Sequence, residues 1–274
     1  MTADPATPGA PGTSASVAPH AAGSGPATDA AASLAARVLR HGRYEALAML
    51  RNGEQLVLAI VLPLLALVAL VITPLLDGFG PSRIDVAAPG VLALCTMSTA
   101  FTGQGIATGF DRRYGVLRFL STTPLGRSGL ILGKAVAVAG VLGVQLVVIG
   151  GTAVLLGWEP RTVGIPGAAL LLLVGSAAFT ALGLLVAGTL RPEATLAVTN
   201  LVWILLAAAG GVILPASALP AAVEPFVAVL PSAALGDGLR SALVDGSLDP
   251  VACLVLLAWA TVASLAAIRW FKWS

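Results

Sequence analysis

Five of the fifteen Lys and Arg residues in this chain fall between Phe110 and Lys134, in the stretch FDRRYGVLRFLSTTPLGRSGLILGK. A basic cluster of that density raises three chemistries: phosphate binding, acid–base catalysis and metal ligation. Phosphate binding fails on spacing. A phosphate loop needs four residues between its glycines and a Ser or Thr after its Lys to hold magnesium. Here three residues separate Gly129 from Gly133, and Ala135 follows Lys134. An intramembrane aspartyl protease needs two facing aspartates, and Asp237 is the only one placed at even shallow depth. No His-Glu-x-x-His motif occurs, both histidines precede the long apolar runs, and Cys95 and Cys253 each sit inside one. Such cysteines read as small buried hydrophobes, not as metal ligands.

Composition sets the elements that must carry these residues. The 274 residues are 57% hydrophobic and 10% charged, with a mean hydropathy of +0.95. A soluble domain carries about a quarter charged residues. This chain has too few to cover a water-facing surface, and it reads as an all-α polytopic membrane protein. A net charge of +2 with clustered basic residues gives no footing for nucleic acid. Residues 1–33 are chiefly Ala, Pro, Gly, Ser and Thr, with Asp4 and Asp29 their only charges. They lack the large apolar side chains that offset ordering entropy, and read as a disordered cytoplasmic tail. They also lack the basic start and apolar centre of a signal peptide.

A membrane-crossing helix takes about 20 mostly apolar residues. Six segments satisfy this, at 55–76, 86–108, 130–156, 163–190, 194–214 and 250–268. Pro63 and Pro74 are expected to bend the first. Lys and Arg set the orientation. With the N-terminus inside, twelve of the fifteen basic residues are cytoplasmic and Arg83, Arg161 and Arg240 lie outside, so both termini are expected in the cytoplasm.

Two pieces do not cross. Residues 34–54 place Leu34, Val38 and Leu47 among Arg37, Arg40, Arg43 and Arg51, an amphipathic helix suited to the inner membrane surface. Residues 219–245 are apolar but broken by Pro220, Pro225, Pro231 and Gly236. A helix from Ser232 to Leu243 would reach about 18 Å, short of a ~30 Å hydrocarbon core. That fits a re-entrant helical hairpin in the outer leaflet or, alternatively, two short helices on its surface.

Within the loop 109–129, Phe110, Tyr114, Leu117 and Leu120 recur at near-helical spacing, with Asp111, Arg112, Arg113 and Arg118 mainly on other faces. The spacing predicts one short amphipathic helix, closed by Pro124 and Gly126. Pattern alone suits an anchor at the headgroups as well as a docking element. Lys134 is expected to snorkel to the headgroups. Gly105 with Gly109, and Gly140 with Gly143, are expected to let helices approach closely. The deeper polar residues are Gln104, Gln145 and Asn200, suited to a substrate path or to bonds between helices. Away from the span ends there is no Asp, Glu, Lys, Arg or His, residues that usually mark an ion pathway. A pump built this way must take its energy from another subunit.

The stretch Phe110–Lys134 resembles the cytoplasmic motif of the ABC type-2 transporter permeases, the daunorubicin-resistance-like drug, lipid and polysaccharide exporters. There an acidic-Arg-x-x-Gly-x-Leu-x-x-Leu run leads to a Pro and then a Lys opening the third span. Asp111, Arg112, Gly115, Leu117, Leu120, Pro124 and Lys134 stand in those places, with Asp111 where Glu is more usual. A second stretch, GGVILPASALPAAVEPFVAVLPSAALGDGLRSAL, is similar to the family's segment before span six, through Pro215, Leu219, Pro220, Pro231 and Arg240.

The resemblance covers about residues 34–272. It implies a subunit of the bacterial plasma membrane that pairs with a second permease copy or a paralogue, as a homodimer or heterodimer. ABC ATP-binding subunits would dock on it and hold ATP and Mg, with no cofactor on this chain. On that basis Asp111, Arg112, Arg113, Tyr114, Gly115, Leu117, Arg118, Leu120, Pro124 and Lys134 become ATPase-coupling residues. Pro215, Pro220, Pro231 and Arg240 become an outer gate. Walls of Ala, Leu, Val and Gly suit hydrophobic or amphipathic cargo such as a drug or lipid. The competing readings are a self-sufficient secondary carrier or channel and a scaffold that transports nothing.

Overall fold

Helices that are apolar all round must be covered by other helices or by lipid, and that condition organises the chain. In the computed structural model, which describes residues 33–117 and 125–271, every regular element is helical. α1 is Leu34–Arg51. α2 is one helical path through Gly53–Leu56, a π turn at Val57–Val61, and Leu62–Ile72. Four long apolar helices follow: α3 (Arg83–Arg113), α4 (Gly129–Leu155), α5 (Thr162–Thr189) and α6 (Pro192–Ala209). Two short helices come next, α7 (Glu224–Ala228) and α8 (Pro231–Arg240), the latter extended by a π turn at Ser241–Asp245. The last is α9 (Pro250–Trp270). Among the described residues, five helices, α3 to α6 and α9, are long and apolar enough to cross a membrane.

α3 is the hub. Ala87, Ala88, Val91, Met97 and Ala100 are fully covered, and α2, α4, α5, α6 and α8 all pack on this helix. Glycine makes the closest contact possible. A Cβ on Gly183 of α5 would lie 2.6 Å from the Phe101 carbonyl oxygen, and one on Gly105 of α3 would lie 3.3 Å from that of Gly183. The two backbones therefore touch, as small residues permit between membrane helices. Gly109 backs onto Thr195 of α6, and Gly140 meets Ala46, but Gly143 has nothing within 4 Å. The expected helix approach at Gly140 and Gly143 thus occurs at the first alone.

The segment expected to form the first crossing is the least regular. Its apolar helix Ala59–Ile72 is short, and the π turn sits just ahead of Pro63. Pro63 has no N–H to offer the Ala59 carbonyl four residues before it. Gln145 of α4 supplies the missing donor, with Nε2 2.7 Å from that oxygen. The same amide accepts from Thr99 Oγ1 at 3.1 Å. Pro74 was expected to bend this helix. Instead, Thr73 is already extended (φ −91, ψ 151), as a residue before proline prefers, and the helix has ended.

α1 runs side by side with α4 and in the same direction. Gly42 backs onto Gly133 and Val136, and one turn later Ala46 packs with Ala137 and Val141. Its covered stripe is Val38, Gly42 and Ala46. Leu34 and Leu47, expected on the same apolar stripe as Val38, stay exposed. The face that meets α4 is therefore built from small residues that let the helices close up, not from the large apolar ones.

Candidate functional site

The 31 residues of α3 make about 46 Å of helix against a ~30 Å core, and the surplus carries charge at both ends. At its C-terminal end, Phe110–Arg113 continue the long helix and do not form a separate amphipathic one. The helix stops at Tyr114 and Gly115, where Gly115 takes φ +73, a conformation glycine adopts without penalty. Val116 and Leu117 are helical again. Arg118, Leu120 and Pro124 lie outside the described residues.

This end gathers charges from separate helices. Lys134 of α4 is 3% exposed; its Nζ is 2.9 Å from Asp111 Oδ2 of α3 and 3.2 Å from Glu45 Oε1 of α1. His41, one turn before Glu45, places Nε2 3.4 Å from the same carboxylate oxygen. Lys134 therefore does not snorkel outward. Its charge is held inward because two carboxylates replace the water it gives up.

Neighbouring arginines serve other helices. Arg112 Nη1 donates to the Ala187 carbonyl at 2.8 Å and Nη2 to that of Leu190, a cation satisfying the last carbonyls of α5. Arg113 pairs with Glu193 in the first turn of α6 at 2.6 Å. Leu117, expected to face a partner, is buried. The exposed residues here are Arg113, Tyr114 and Val116, with Tyr114 stacked on Phe110 (6.2 Å between ring centres).

Among the described residues, the second buried cation lies about 31 Å away, counted along α3 from Asp111 back to Gly90. Arg240 of α8 donates to Asp237 Oδ1 at 2.7 Å and to the carbonyls of Val212 and Ile213 at 2.5 and 2.7 Å. Asp237 in turn accepts from the Ala216 amide at 3.2 Å. The chain leaving α6 is thus strapped to α8. Gly90 and Gly236 make room, since a Cβ on either would crowd the Val212 carbonyl at 2.9–3.0 Å. Pro215 precedes a short turn at Ala216–Ala218, Pro231 opens α8, and Pro220 stays on the surface. Arg240 therefore ties the expected outer-gate segment together more than any of its prolines.

The family model described as ABC-2 family transporter protein matches residues 83–269, more than half of the chain. The chain belongs to the ABC-2 transporter family. No curated protein matches it. Members of the family are membrane subunits without an ATPase site of their own, and they normally pair with an ATP-binding subunit. This ABC-2 chain is accordingly a multi-pass membrane permease component. The matched range starts at the first residue of α3, so Asp111, Lys134 and Arg240 fall within it while His41 and Glu45 do not.

The three path candidates of the ABC-2 chain separate. Gln145 is committed to Ala59 and Thr99, as above. Gln104 is buried with its Nε2 4.0 Å from Met49 Sδ of α1. Both sit at contacts between helices of one subunit. Asn200 alone is exposed. Sequence reasoning missed Glu45 and His41, whose i, i+4 spacing on α1 was the available signal.

Proposed function

We propose that this ABC-2 permease is the membrane half of an ATP-driven exporter in a bacterial plasma membrane, with both termini cytoplasmic. Hydrolysis takes place on a separate ATP-binding subunit that holds ATP and Mg. Residues 53–72 complete a sixth crossing, at about 30 Å of helix. α7 and α8 form the re-entrant piece of the outer leaflet, and Arg240 fastens it as part of an outer gate. The cargo is hydrophobic or amphipathic.

One observation carries the reading: Lys134, Glu45 and Asp111 join α4, α1 and α3 at the end where Tyr114 is exposed. An ATPase gripping Tyr114, Val116 and residues further along the motif, Arg118, Leu120 and Pro124 among them, would pull on three helices through one ammonium. Arg112 and buried Leu117 hold the loop to the body from within.

The test is reconstitution with the ATP-binding subunit in vesicles. Tyr114→Ala together with Arg113→Glu should leave the chain folded in the membrane and stop ATP-dependent export. Uphill movement of solute by this chain alone, driven by an ion gradient, would support the carrier reading and remove this one.

A further inference from the structure

π turns hold well under 1% of residues in soluble proteins and gather at functional sites. Four occur among the described residues, and three of them meet. These are Val57–Val61 of α2, Ser98–Gly103 of α3 and Leu146–Gly150 of α4. Gln145, the residue before the third, ties the other two together. It donates to the carbonyl of Ala59 inside the first and accepts from Thr99 inside the second. Trp203 of α6 donates to Ser98 Oγ at 2.8 Å, so a fourth helix joins the same level. The first turn has a local cause in the missing N–H of Pro63. Neither of the others contains a proline or is followed by one within its helix.

A π turn bonds an amide five residues back instead of four, so it holds one residue more than a turn of α-helix. Handing that surplus along the helix rotates the residues it passes by about 100° and leaves the two ends as they were. Such a helix can twist without breaking. Thr102 Oγ1, inside the α3 turn, is buried with no partner, a hydroxyl that a shifted register could satisfy. A Cβ on Gly150 or Gly151 would meet nothing within 4 Å, so the α4 turn has room to rotate. The level also lies between the two buried cations. Along α3, Thr99 is about 18 Å from Asp111 and about 14 Å from Gly90, which Arg240 touches. Along α4, Gln145 is about 16 Å from Lys134.

Resting on the permease reading above, we infer that the three π turns form a hinge layer on which the Lys134 ends of α3 and α4 turn against a fixed Arg240 end. Gln145 is its positioning residue, the amide that keeps the three turns in step.

The test begins with hydrogen exchange on the full chain in lipid nanodiscs. Amides of the three turns should exchange at least about tenfold faster than those of the flanking turns in the same helices. Adding the ATP-binding subunit with a non-hydrolysable ATP analogue should change exchange at these turns and leave the Arg240 segment unchanged. Deleting Val147, exposed in the α4 turn, removes the surplus residue and keeps the faces of both halves. That chain should insert, lose the fast exchange in α4, and lose most export when reconstituted with the ATP-binding subunit. Thr99→Val should lower export per ATP hydrolysed severalfold and Thr99→Ser restore it, a ratio that simple loss of folded protein would not move. The inference is overturned by exchange at the three turns no faster than beside them, or by parental export from the chain lacking Val147. Should that chain fail to insert, exchange in the parent still decides. That exchange is read on the chain alone, so its absence leaves the permease reading standing. A parent that exports nothing with the ATP-binding subunit removes the permease reading instead.

Discussion

The two ends of this permease each bury a cation, and they use it differently. Arg240 spends its donors on the backbone carbonyls of Val212 and Ile213 and on Asp237, three residues before it. Everything it holds belongs to one short stretch between α6 and α9. Lys134 holds only side-chain carboxylates, Glu45 on one helix and Asp111 on another. A guanidinium fork set on fixed carbonyls is a clasp with one geometry. An ammonium between two flexible carboxylates is a joint, because its three donors can swivel as the helices shift. On the proposed reading, the Arg240 end would stay closed around its loop, and the Lys134 end would transmit movement.

The largest effect that sharpens this contrast is at the clasp. Arg240→Ala leaves buried carbonyls and Asp237 without their partner and should cost about 3–5 kcal/mol, read as a fall in the thermal midpoint in detergent. Arg240→Lys should recover part of it, since one ammonium cannot reproduce the fork. A loss as small as a surface substitution would mean that the clasp does not hold the outer segment.

Arg112→Ala comes next. Freeing the Ala187 and Leu190 carbonyls at the end of α5 should cost about 1–2 kcal/mol. Hydrogen exchange in the last turn of α5 should rise, with the Arg240 end unaffected. Smaller still is Arg113→Ala. Its partnership with Glu193 is largely exposed (49% and 67%), and such pairs contribute about 0.2–1 kcal/mol. Equal stability losses at Arg112 and Arg113 would contradict the division between an inward cap and an outward contact.

The smallest effect is a pH dependence near the start of α3. Hydrogen bonds from Arg83 (2.5 and 3.0 Å) hold the exposed Asp77 carboxyl below its ordinary 3.8. A group whose pKa is lowered on folding stabilises the fold above its unfolded value. That contribution disappears as pH falls through the lowered one. Acid titration should show this loss in the parent and none in Asp77→Asn.

Membrane class, helical architecture and the five long apolar helices were legible in the sequence because apolar length is a one-dimensional signal. The motif around Asp111 was legible as a pattern, but the partners of its side chains were not. The spacing puts Leu117 on the apolar face of a short helix and Arg112 on another, with Lys134 expected to snorkel; Leu117 is buried, Arg112 caps α5, and Lys134 is turned inward to Glu45 and Asp111. Lys134 meets Glu45 across 89 residues, a distance no local periodicity spans. Gln145 read as a polar spot in a span. Only the missing N–H of Pro63, brought alongside by packing, explains it. Arg240 was placed in the right segment by its prolines. That it binds carbonyls 27 and 28 residues back depended on a chain reversal that no motif encodes.

The joint at Lys134 is the centre of this account, and one comparison tests it most directly. In vesicles holding the permease with its ATP-binding subunit, ATP hydrolysis and cargo export are measured together for the parent, Lys134→Arg and Lys134→Ala. The account predicts that Lys134→Ala keeps both subunits assembled and hydrolysing ATP while export is lost, and that Lys134→Arg, which keeps the charge but not the swivelling ammonium, restores only part of it. Export by Lys134→Ala at the parental rate per ATP would contradict it.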